Sequence, residues 1–286
     1  MLKRVIVAND IVGIGKVAQS ASIPILSTCL IQQAILPTCL LSRHTGANNR
    51  PYIQSFSKGL DAFLQDWQSN PKPNYDGFFA GYLFEATDAD TILAFLAKEK
   101  LPFVLDPIMA DKGQLYSHLG TEHLDAMTKL AKRAQLVLPN LSEACLLSNQ
   151  AFPGNEYTKA EIKELMKGIS QLGPEHVIVT GLSFDDQSIG VAYYNSHRQE
   201  ISYHMRPKLP YHFFGTGDIF SAIMTAGFFY DFPMEQVIEI SLDFLYQSLQ
   251  ETLKLSQDLT FGICFEPFLT DLGLSFKKLL EETHDV

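Results

Sequence analysis

The stretch "DADTILAFLAKEKLPFVLDPI" (88–108) contains the pattern that decides the fold. Its first half opens on acidic residues and closes on lysines, which is the charge order that a helix dipole favours. Its second half, from Leu101 onward, is a short apolar run that predicts a buried strand. A helix followed at once by a buried strand is the repeating unit of a parallel sheet that is covered by helices.

The same unit recurs in both directions along the chain. Apolar runs predict strands at 4–8, 34–41, 75–83, 135–140 and 176–181, and segments with apolar residues at helical spacing lie between them. Alternation of this length indicates an α/β fold with a doubly wound, mostly parallel sheet and helices on both faces. In such sheets, ligands bind at the carboxyl ends of the strands.

The pattern changes after the last of these strands. Residues 188–207 predict two antiparallel strands that would extend the sheet as an antiparallel edge, and helical segments follow. The aromatic residues at 228–230 and in "DFLYQSL" (243–249) predict helix packing. Because no linker rich in Pro, Gly or Ser interrupts the chain, we expect a single domain over residues 1–286.

The composition excludes several classes of protein. The net charge is −10 and no cluster of Lys and Arg is present, which argues against nucleic-acid binding. The start of the sequence lacks a basic region followed by an apolar one, so we expect no signal peptide, and no apolar run approaches the roughly 18 residues of a transmembrane helix. We therefore expect a cytoplasmic protein without membrane contacts. The four cysteines are scattered and the histidines lack metal-ligand spacing, so neither a disulfide framework nor a zinc site is predicted.

The strongest chemical signal is "FGTGDIF" (214–220), at the start of a predicted helix. Glycines let the backbone approach a ligand closely, and the free N–H groups of a helix start favour an anion. An aspartate at such a turn makes sense as a base that takes a proton from a hydroxyl attacking a phosphoryl group. The alternative is a simple helix cap, with Thr216 or Asp218 as the capping residue.

This motif resembles the G-T-G-D-x-F signature of the ribokinase-like kinases. Three further segments are similar to segments of the vitamin kinases in this superfamily, in the expected order. They are "LDPIMADKGQLY" (105–116), "LPNLSEA" (138–144) and "VIVTGL" (177–182). The similarity extends from about residue 3 to about residue 250.

Within the superfamily, the sequence most resembles the pyridoxal, pyridoxamine and pyridoxine (vitamin B6) kinases. "FAGYL" (79–83) and "SRHTG" (42–46) resemble loops of those kinases. Hydroxymethylpyrimidine kinases usually carry Cys where this chain has Asp218. The resemblance implies an ATP-dependent kinase that phosphorylates the 5′-hydroxymethyl group of a B6 vitamer. The alternatives are a hydroxymethylpyrimidine kinase, a dual-specificity relative, or a non-catalytic member that only binds the vitamin.

The resemblance also implies roles for particular residues. Asp218 would be the catalytic base, and an anion hole would be formed by the N–H groups of Gly215, Thr216 and Gly217. Nucleotide-binding residues would be Asp106, Asn140, Thr180 and Gly181.

The resemblance further implies a metal site. Mg²⁺ would be held largely through water by Asp111 and Glu143, with a monovalent cation such as K⁺ nearby, and "DKGQLY" would form part of a flap. The structural alternatives are capping or solvated carboxylates, a turn-forming Asn and a Thr satisfied within its strand. Family members are commonly homodimers.

The vitamer pocket is predicted from strand-end and loop residues: Asn9, Asp10, His44, Thr45 and Tyr82. The loop "NDIVGIGKV" (9–17) superficially resembles a phosphate-binding loop, but Val17 stands where a P-loop needs Ser or Thr. A dinucleotide fingerprint would need glycine at position 18, where the chain has Ala18, and an acidic partner about 20 residues on, which is absent. We therefore predict that this loop forms the floor of the vitamin pocket, with its glycines against the ring.

Overall fold

The computed structural model describes residues 2–46, 50–69, 71–255 and 258–284. Its strands are β1 Lys3–Val12, β2 Ile31–Leu41, β3 Ile53–Ser55, β4 Gly77–Ala80, β5 Phe103–Leu105, β6 Ala110–Asp111, β7 Gln114–Leu115, β8 Leu136–Val137, β9 His176–Leu182, β10 Ser188–Asn195 and β11 Glu200–Pro207. Its α-helices are α1 Ala18–Thr28, α2 Ser57–Trp67, α3 Asp88–Glu99, α4 Thr121–Arg133, α5 Leu141–Leu147, α6 Lys159–Ser170, α7 Thr216–Phe229, α8 Met234–Leu255 and α9 Leu269–His284.

Nine strands form one sheet in the order β11-β10-β9-β8-β5-β4-β1-β2-β3. The six strands from β9 to β2 are parallel, and β10 and β11 continue the sheet as the predicted antiparallel edge. The mostly parallel α/β fold is therefore confirmed. The chain reverses its winding direction between β1 and β4, which is where ligands bind in sheets of this kind.

The core has two layers, one on each face of the sheet. Along β1, Ile6 and Ala8 pack with the helices α2–α6, whereas Val5 and Val7 pack with α1, α7, α8 and α9. All four side chains are fully buried. Because successive side chains of a strand point to opposite faces, a continuous apolar run fits a strand that is covered on both sides.

The structure differs from the predictions at the edges of this framework. β1 continues to Val12, because its second half pairs with β2 through a register shift between Asn9 and Ile11. A short antiparallel strand, β3, closes the second edge beside β2. The predicted flap contains a two-stranded hairpin, β6–β7, outside the main sheet.

Among the helices of the described ranges, none combines the length and the apolar character needed to cross a bilayer.

Candidate active site

A cavity of about 750 Å³ opens at the carboxyl ends of the parallel strands. Its lining contains all but one of the residues that the sequence predicts for the site. These are Asp10, His44, Thr45, Tyr82, Asp106, Asp111, Asn140, Glu143, Thr180, Gly181, Gly215, Thr216, Gly217 and Asp218. The parallel sheet brings them together, since each strand delivers its following residues to the same edge.

Asn9 is buried and does not belong to the cavity lining. Its side-chain Oδ1 accepts hydrogen bonds from the N–H groups of Tyr82 (2.8 Å) and Asp10 (3.0 Å). Gly81 leaves room for this carboxamide, because a Cβ at position 81 would lie 2.8 Å from the Asn9 side chain. In this structure Asn9 fixes the two neighbouring cavity residues in place.

At its first position, the glycine turn before α7 has a backbone conformation that only glycine adopts without strain. Gly215 has φ 88°, and a Cβ there would lie 2.3 Å from the backbone oxygen of Lys16. Gly217, in contrast, faces open space. The first intrahelical hydrogen bond of α7 runs from Ile219 N–H to Gly215 O, so the preceding N–H groups keep no acceptor within the helix. They are available for an anion in the cavity.

Asp218 lies in the first turn of α7 and is half-buried. Burial raises the pKa of its carboxyl above the usual value, although hydrogen bonds from the N–H groups of Ala18 and of Asp218 itself oppose that shift. A carboxyl with a raised pKa is a stronger base once it is ionised. Its position at a helix start, where anions bind, suits proton transfer beside a phosphoryl group.

Asp106 connects the end of β5 to α7. It is 6% exposed, and its Oδ2 accepts a 2.6 Å hydrogen bond from the hydroxyl of Ser221. Burial raises its pKa well above the usual value, and the charges of Glu143 and Asp218 add to the shift. Asp106 therefore holds α7 against the strand ends and adds a titratable carboxyl group to the same cavity.

Asn140 and Glu143 form a capping box at the start of α5. Asn140 Oδ1 accepts from Glu143 N–H (3.0 Å), and Glu143 Oε2 accepts from Asn140 N–H (2.9 Å). The pair also holds the β6–β7 hairpin, since Glu143 Oε1 accepts from Met109 N–H and Asn140 Nδ2 donates to Ala110 O. Glu143 is 2% exposed. Burial raises its pKa to about 8, against backbone hydrogen bonds that lower it.

The cavity gathers five carboxyl groups. They belong to Asp10, Asp106, Asp111, Glu143 and Asp218. Within the described ranges, no three His, Cys, Asp or Glu side chains converge closely enough to hold a metal ion by themselves. The acids still fit a hydrated Mg²⁺, which keeps several waters and takes one or two carboxylates plus substrate phosphates. Burial is the largest cause of the raised pKa values of Asp106 and Glu143, and the charges of neighbouring acids add to both shifts.

Tyr82 and His118 form a contact that sequence reasoning missed. The Tyr82 hydroxyl and His118 Nε2 lie 2.6 Å apart, and the ring of His118 stacks on Tyr116 at 6.5 Å. Tyr116 and His118 both line the cavity. The segment after β7 is thereby joined to the end of β4. The order Y-x-H at 116–118 was visible in the sequence, but nothing there indicated the partner of His118.

His44 and Thr45 line the opposite part of the pocket. The ring of His44 is 8% exposed and lies 4.9 Å from that of Phe214, just before the glycine turn. His44 Nε2 also contacts the backbone oxygen of Thr260. The "SRHTG" loop is thus packed against the segment that leads into the glycine turn.

The loop glycines do not form the pocket floor in the way the sequence suggested. A Cβ on Gly15 would meet the His44 ring at 3.1 Å, so this glycine accommodates a protein side chain and not a ligand ring. Lys16 points away from the site, and its Nζ lies 2.6 Å from Glu266 Oε1. Asp10 and Val17 of the same loop do line the cavity, together with Ala18.

The part of the cavity beside α8 has an apolar wall that the sequence did not predict. Residues of α8 that we had assigned to packing alone contribute to its lining: Leu242, Leu245, Tyr246 and Leu249. They face the edge strands β10 and β11, from which Ile189 and Arg206 also line the cavity. Arg206 is held by Glu239 and Asp243. Helical periodicity could not separate these positions from ordinary core residues.

A doubly wound sheet with a Gly-Thr-Gly-Asp turn opposite its strand ends defines a ribokinase-like kinase. Comparison with known proteins supports this class. The phosphomethylpyrimidine kinase family matches residues 73–261. The chain therefore belongs to that family, and it is a pyridoxal kinase-like phosphotransferase with an alcohol group as acceptor.

Curated relatives include enzymes of both vitamin types. Pyridoxal kinase of Arabidopsis thaliana is 25% identical over 227 residues, covering 74% of this chain and 70% of that protein. The hydroxymethylpyrimidine/phosphomethylpyrimidine kinase of Staphylococcus aureus is 26% identical over 187 residues, covering 62% and 63%. The chain thus spans about two thirds of the length of these relatives.

Solved structures match nearly the whole chain. A candidate phosphomethylpyrimidine kinase from Bacteroides thetaiotaomicron, crystallised with pyridoxal, superposes with a TM-score of 0.89 at 26% identity. The match covers 95% of this chain and 96% of that one. Pyridoxal kinase from Lactobacillus plantarum has the same fold, with a TM-score of 0.87 at 24% identity and coverage of 95% and 97%.

Proposed function

We propose that this protein is an ATP-dependent kinase that phosphorylates the 5′-hydroxymethyl group of pyridoxal, pyridoxamine or pyridoxine. The observation that carries the proposal is the position of Asp218, in the first turn of α7 and on the wall of the cavity. The relatives named pyridoxal kinase and the Bacteroides structure with pyridoxal support the choice of acceptor. Structures of Leishmania donovani pyridoxal kinase with ADP support the choice of nucleotide.

In the proposed reaction, Asp218 accepts the proton of the 5′-hydroxyl group. The hydroxyl oxygen then forms a bond to the γ-phosphorus of ATP, while the bond from that phosphorus to the β–γ bridging oxygen breaks and ADP leaves. Charge on the transferred group is stabilised by the N–H groups of Gly215, Thr216 and Gly217. The vitamer ring would lie between Asp10, His44, Thr45 and Tyr82.

The nucleotide would occupy the other half of the cavity. Asn140, Thr180 and Gly181 would bind the phosphates, and the apolar wall formed by α8 residues such as Leu245 would receive the base. Gly181 suits close approach of a phosphate, because it has φ 72° and nothing stands within 4 Å of the place of its missing Cβ.

Asp111 and Glu143 would hold Mg²⁺ through water, with K⁺ or another monovalent cation nearby. When bound, the ion neutralises phosphate charge during transfer. Both Glu143 oxygens already accept backbone N–H groups, so a water-mediated contact fits better than direct ligation.

A hydroxymethylpyrimidine kinase, or an enzyme that accepts both substrates, is the second candidate. The family match and the S. aureus relative favour it. The two are separated by initial rates with Mg-ATP and each of four acceptors: the three B6 vitamers and hydroxymethylpyrimidine. We expect a 5′-phosphate ester on a vitamer at the highest kcat/KM. Turnover of the pyrimidine with none of the vitamers would reject the proposal.

We also propose that the protein is a cytoplasmic homodimer, as its resemblance to the B6 kinases implies. Sedimentation of the purified chain would give about twice the mass of 32.0 kDa. A single species at the monomer mass across the working concentration range would contradict the dimer.

A further inference from the structure

Asp10 occupies an irregular point in the sheet. The register between β1 and β2 shifts between Asn9 and Ile11: Asn9 pairs with Pro37 and Ile11 with Leu40, so β2 has one extra residue opposite Asp10, and Asp10 has no partner in the register. Irregularities of this kind are common beside active sites. Asp10 lines the cavity, and the Asn9 side chain accepts the Asp10 N–H and fixes its backbone.

The carboxyl of Asp10 interacts electrostatically with other acidic groups. Asp218 on α7, Cys39 on β2 and Tyr82 after β4 are the titratable groups that interact with it. Across the described parts of the chain, no Lys, Arg or His forms an ion pair with Asp10. Burial and the charge of Asp218 raise its pKa to about 8. A carboxyl placed in this way lacks a cation that a ligand can supply.

We propose that Asp10 is a specificity residue that binds an ammonium group of the substrate next to the reacting hydroxyl, so that the enzyme prefers pyridoxamine. The inference rests on the proposed function. Asp218 must lie at the 5′-hydroxymethyl group, and the neighbouring ring carbon carries the 4′ substituent. In pyridoxamine this substituent is an aminomethyl group, which is protonated at neutral pH like other alkylamines (pKa about 10).

The other cationic group of the vitamers is the protonated ring nitrogen, which all three share. The nitrogen lies across the ring from the 4′ carbon, so a carboxyl that bound it instead would favour no vitamer over another. An ammonium group between Asp10 and Asp218 would also offset the repulsion between the two acids. An uncharged aldehyde or hydroxyl group at the same place would not offset that repulsion.

The test compares pyridoxamine with pyridoxine, which differ only in the 4′ substituent. We expect wild-type kcat/KM to favour pyridoxamine, and Asp10→Asn to reduce the ratio roughly 10- to 100-fold, the range of a lost charge-assisted hydrogen bond. Asp10→Glu keeps the charge and should retain part of the preference. Asp111→Asn is the matched control, because it removes a cavity carboxyl at the phosphate end. It should slow both vitamers alike and leave the ratio unchanged.

A ratio that changes less than twofold in Asp10→Asn would overturn this inference while leaving the proposed function intact. Failure of the wild type to phosphorylate any vitamer would overturn both. If Asp10→Asn does not fold, the wild type alone decides: a kcat/KM for pyridoxamine no higher than for pyridoxine contradicts the proposal.

Discussion

At the scale of single residues, the acidic side chains of the cavity have perturbed pKa values. Asp10, Asp106, Asp218 and Glu143 all have raised pKa values, and burial is the largest cause for each. Burial disfavours the charged form of an acid, and neighbouring acids disfavour it further. Perturbed acids concentrated in one cavity are typical of sites that move protons or bind cations.

The raised pKa of Asp218 predicts the pH dependence of the reaction. The base works as a carboxylate, so kcat/KM should fall as the pH decreases through its pKa, which burial raises above the usual value of 3.8. A pH–rate profile with a fixed vitamer and saturating Mg-ATP measures this. A rate that stays constant down to about pH 4, where an unperturbed Asp titrates, would contradict the assignment.

The glycine turn before α7 acts as one element, and the structural requirement for glycine differs between its two glycine positions. Gly215→Ala forces a side chain into the left-handed region at a cost of about 1–2 kcal/mol, and its Cβ would collide with Lys16 O. We expect a lower melting temperature and a strong loss of activity. Gly217→Ala is the matched variant, because its Cβ meets open space and its melting temperature should not fall. Equal destabilisation of both variants would contradict this account.

The capping box of α5 holds the β6–β7 hairpin beside the half of the cavity that we propose for the phosphates. Glu143→Ala removes the acceptor of the Met109 and Ala110 N–H groups, so hydrogen exchange in the hairpin should accelerate and KM for ATP should rise. The chain supplies a matched control in α6, where Thr158 and Glu161 form the same capping box.

Glu161→Ala should slightly lower the melting temperature and leave KM for ATP unchanged, because Glu161 does not line the cavity. An equal rise in KM for ATP in Glu143→Ala and Glu161→Ala would show that the loss of a helix cap, and not the loss of the hairpin contact, causes the rise.

At the scale of the molecule, a bound cation should couple to pH through Glu143. Its pKa of about 8 in the folded protein exceeds the ordinary 4.5, so the folded state binds the extra proton and loses stability as the pH rises across that range. Mg²⁺ favours the ionised carboxyl. The rise in melting temperature caused by Mg²⁺ with ADP should therefore be larger near the upper end of that range than near its middle. Glu143→Gln should remove this difference, and an equal effect at both pH values in the wild type would contradict the proposed ion site.

Much of the architecture could be predicted from sequence because local patterns and topology agree. The apolar run at 4–8 and the similar runs that follow it identified the parallel strands. Because the carboxyl ends of parallel strands share one edge of the sheet, Asp106, Asn140 and Thr180 were expected to lie in one cavity, and they do. The resemblance to the B6 kinases then singled out Asp218.

Features that depend on tertiary contacts could not be predicted. The register shift opposite Asp10 arises from the pairing of β1 with β2, and the contact of Tyr82 with His118 joins residues 36 positions apart. The role of Leu245 on the cavity wall depends on how α8 packs beside β11, which helical periodicity alone does not contain. The wrong expectation for Gly15 has the same origin, since the neighbour of this glycine is His44, in a distant loop.

The central claim is that Asp218 activates a vitamer hydroxyl for phosphoryl transfer from ATP. The most direct test measures 5′-phosphate ester formation by Asp218→Asn and by the wild type, with calorimetric binding of ATP and vitamer as the control. We predict that kcat falls by about 10²–10⁴ while both dissociation constants stay within a few-fold. Turnover close to that of the wild type, with binding intact, would contradict the account.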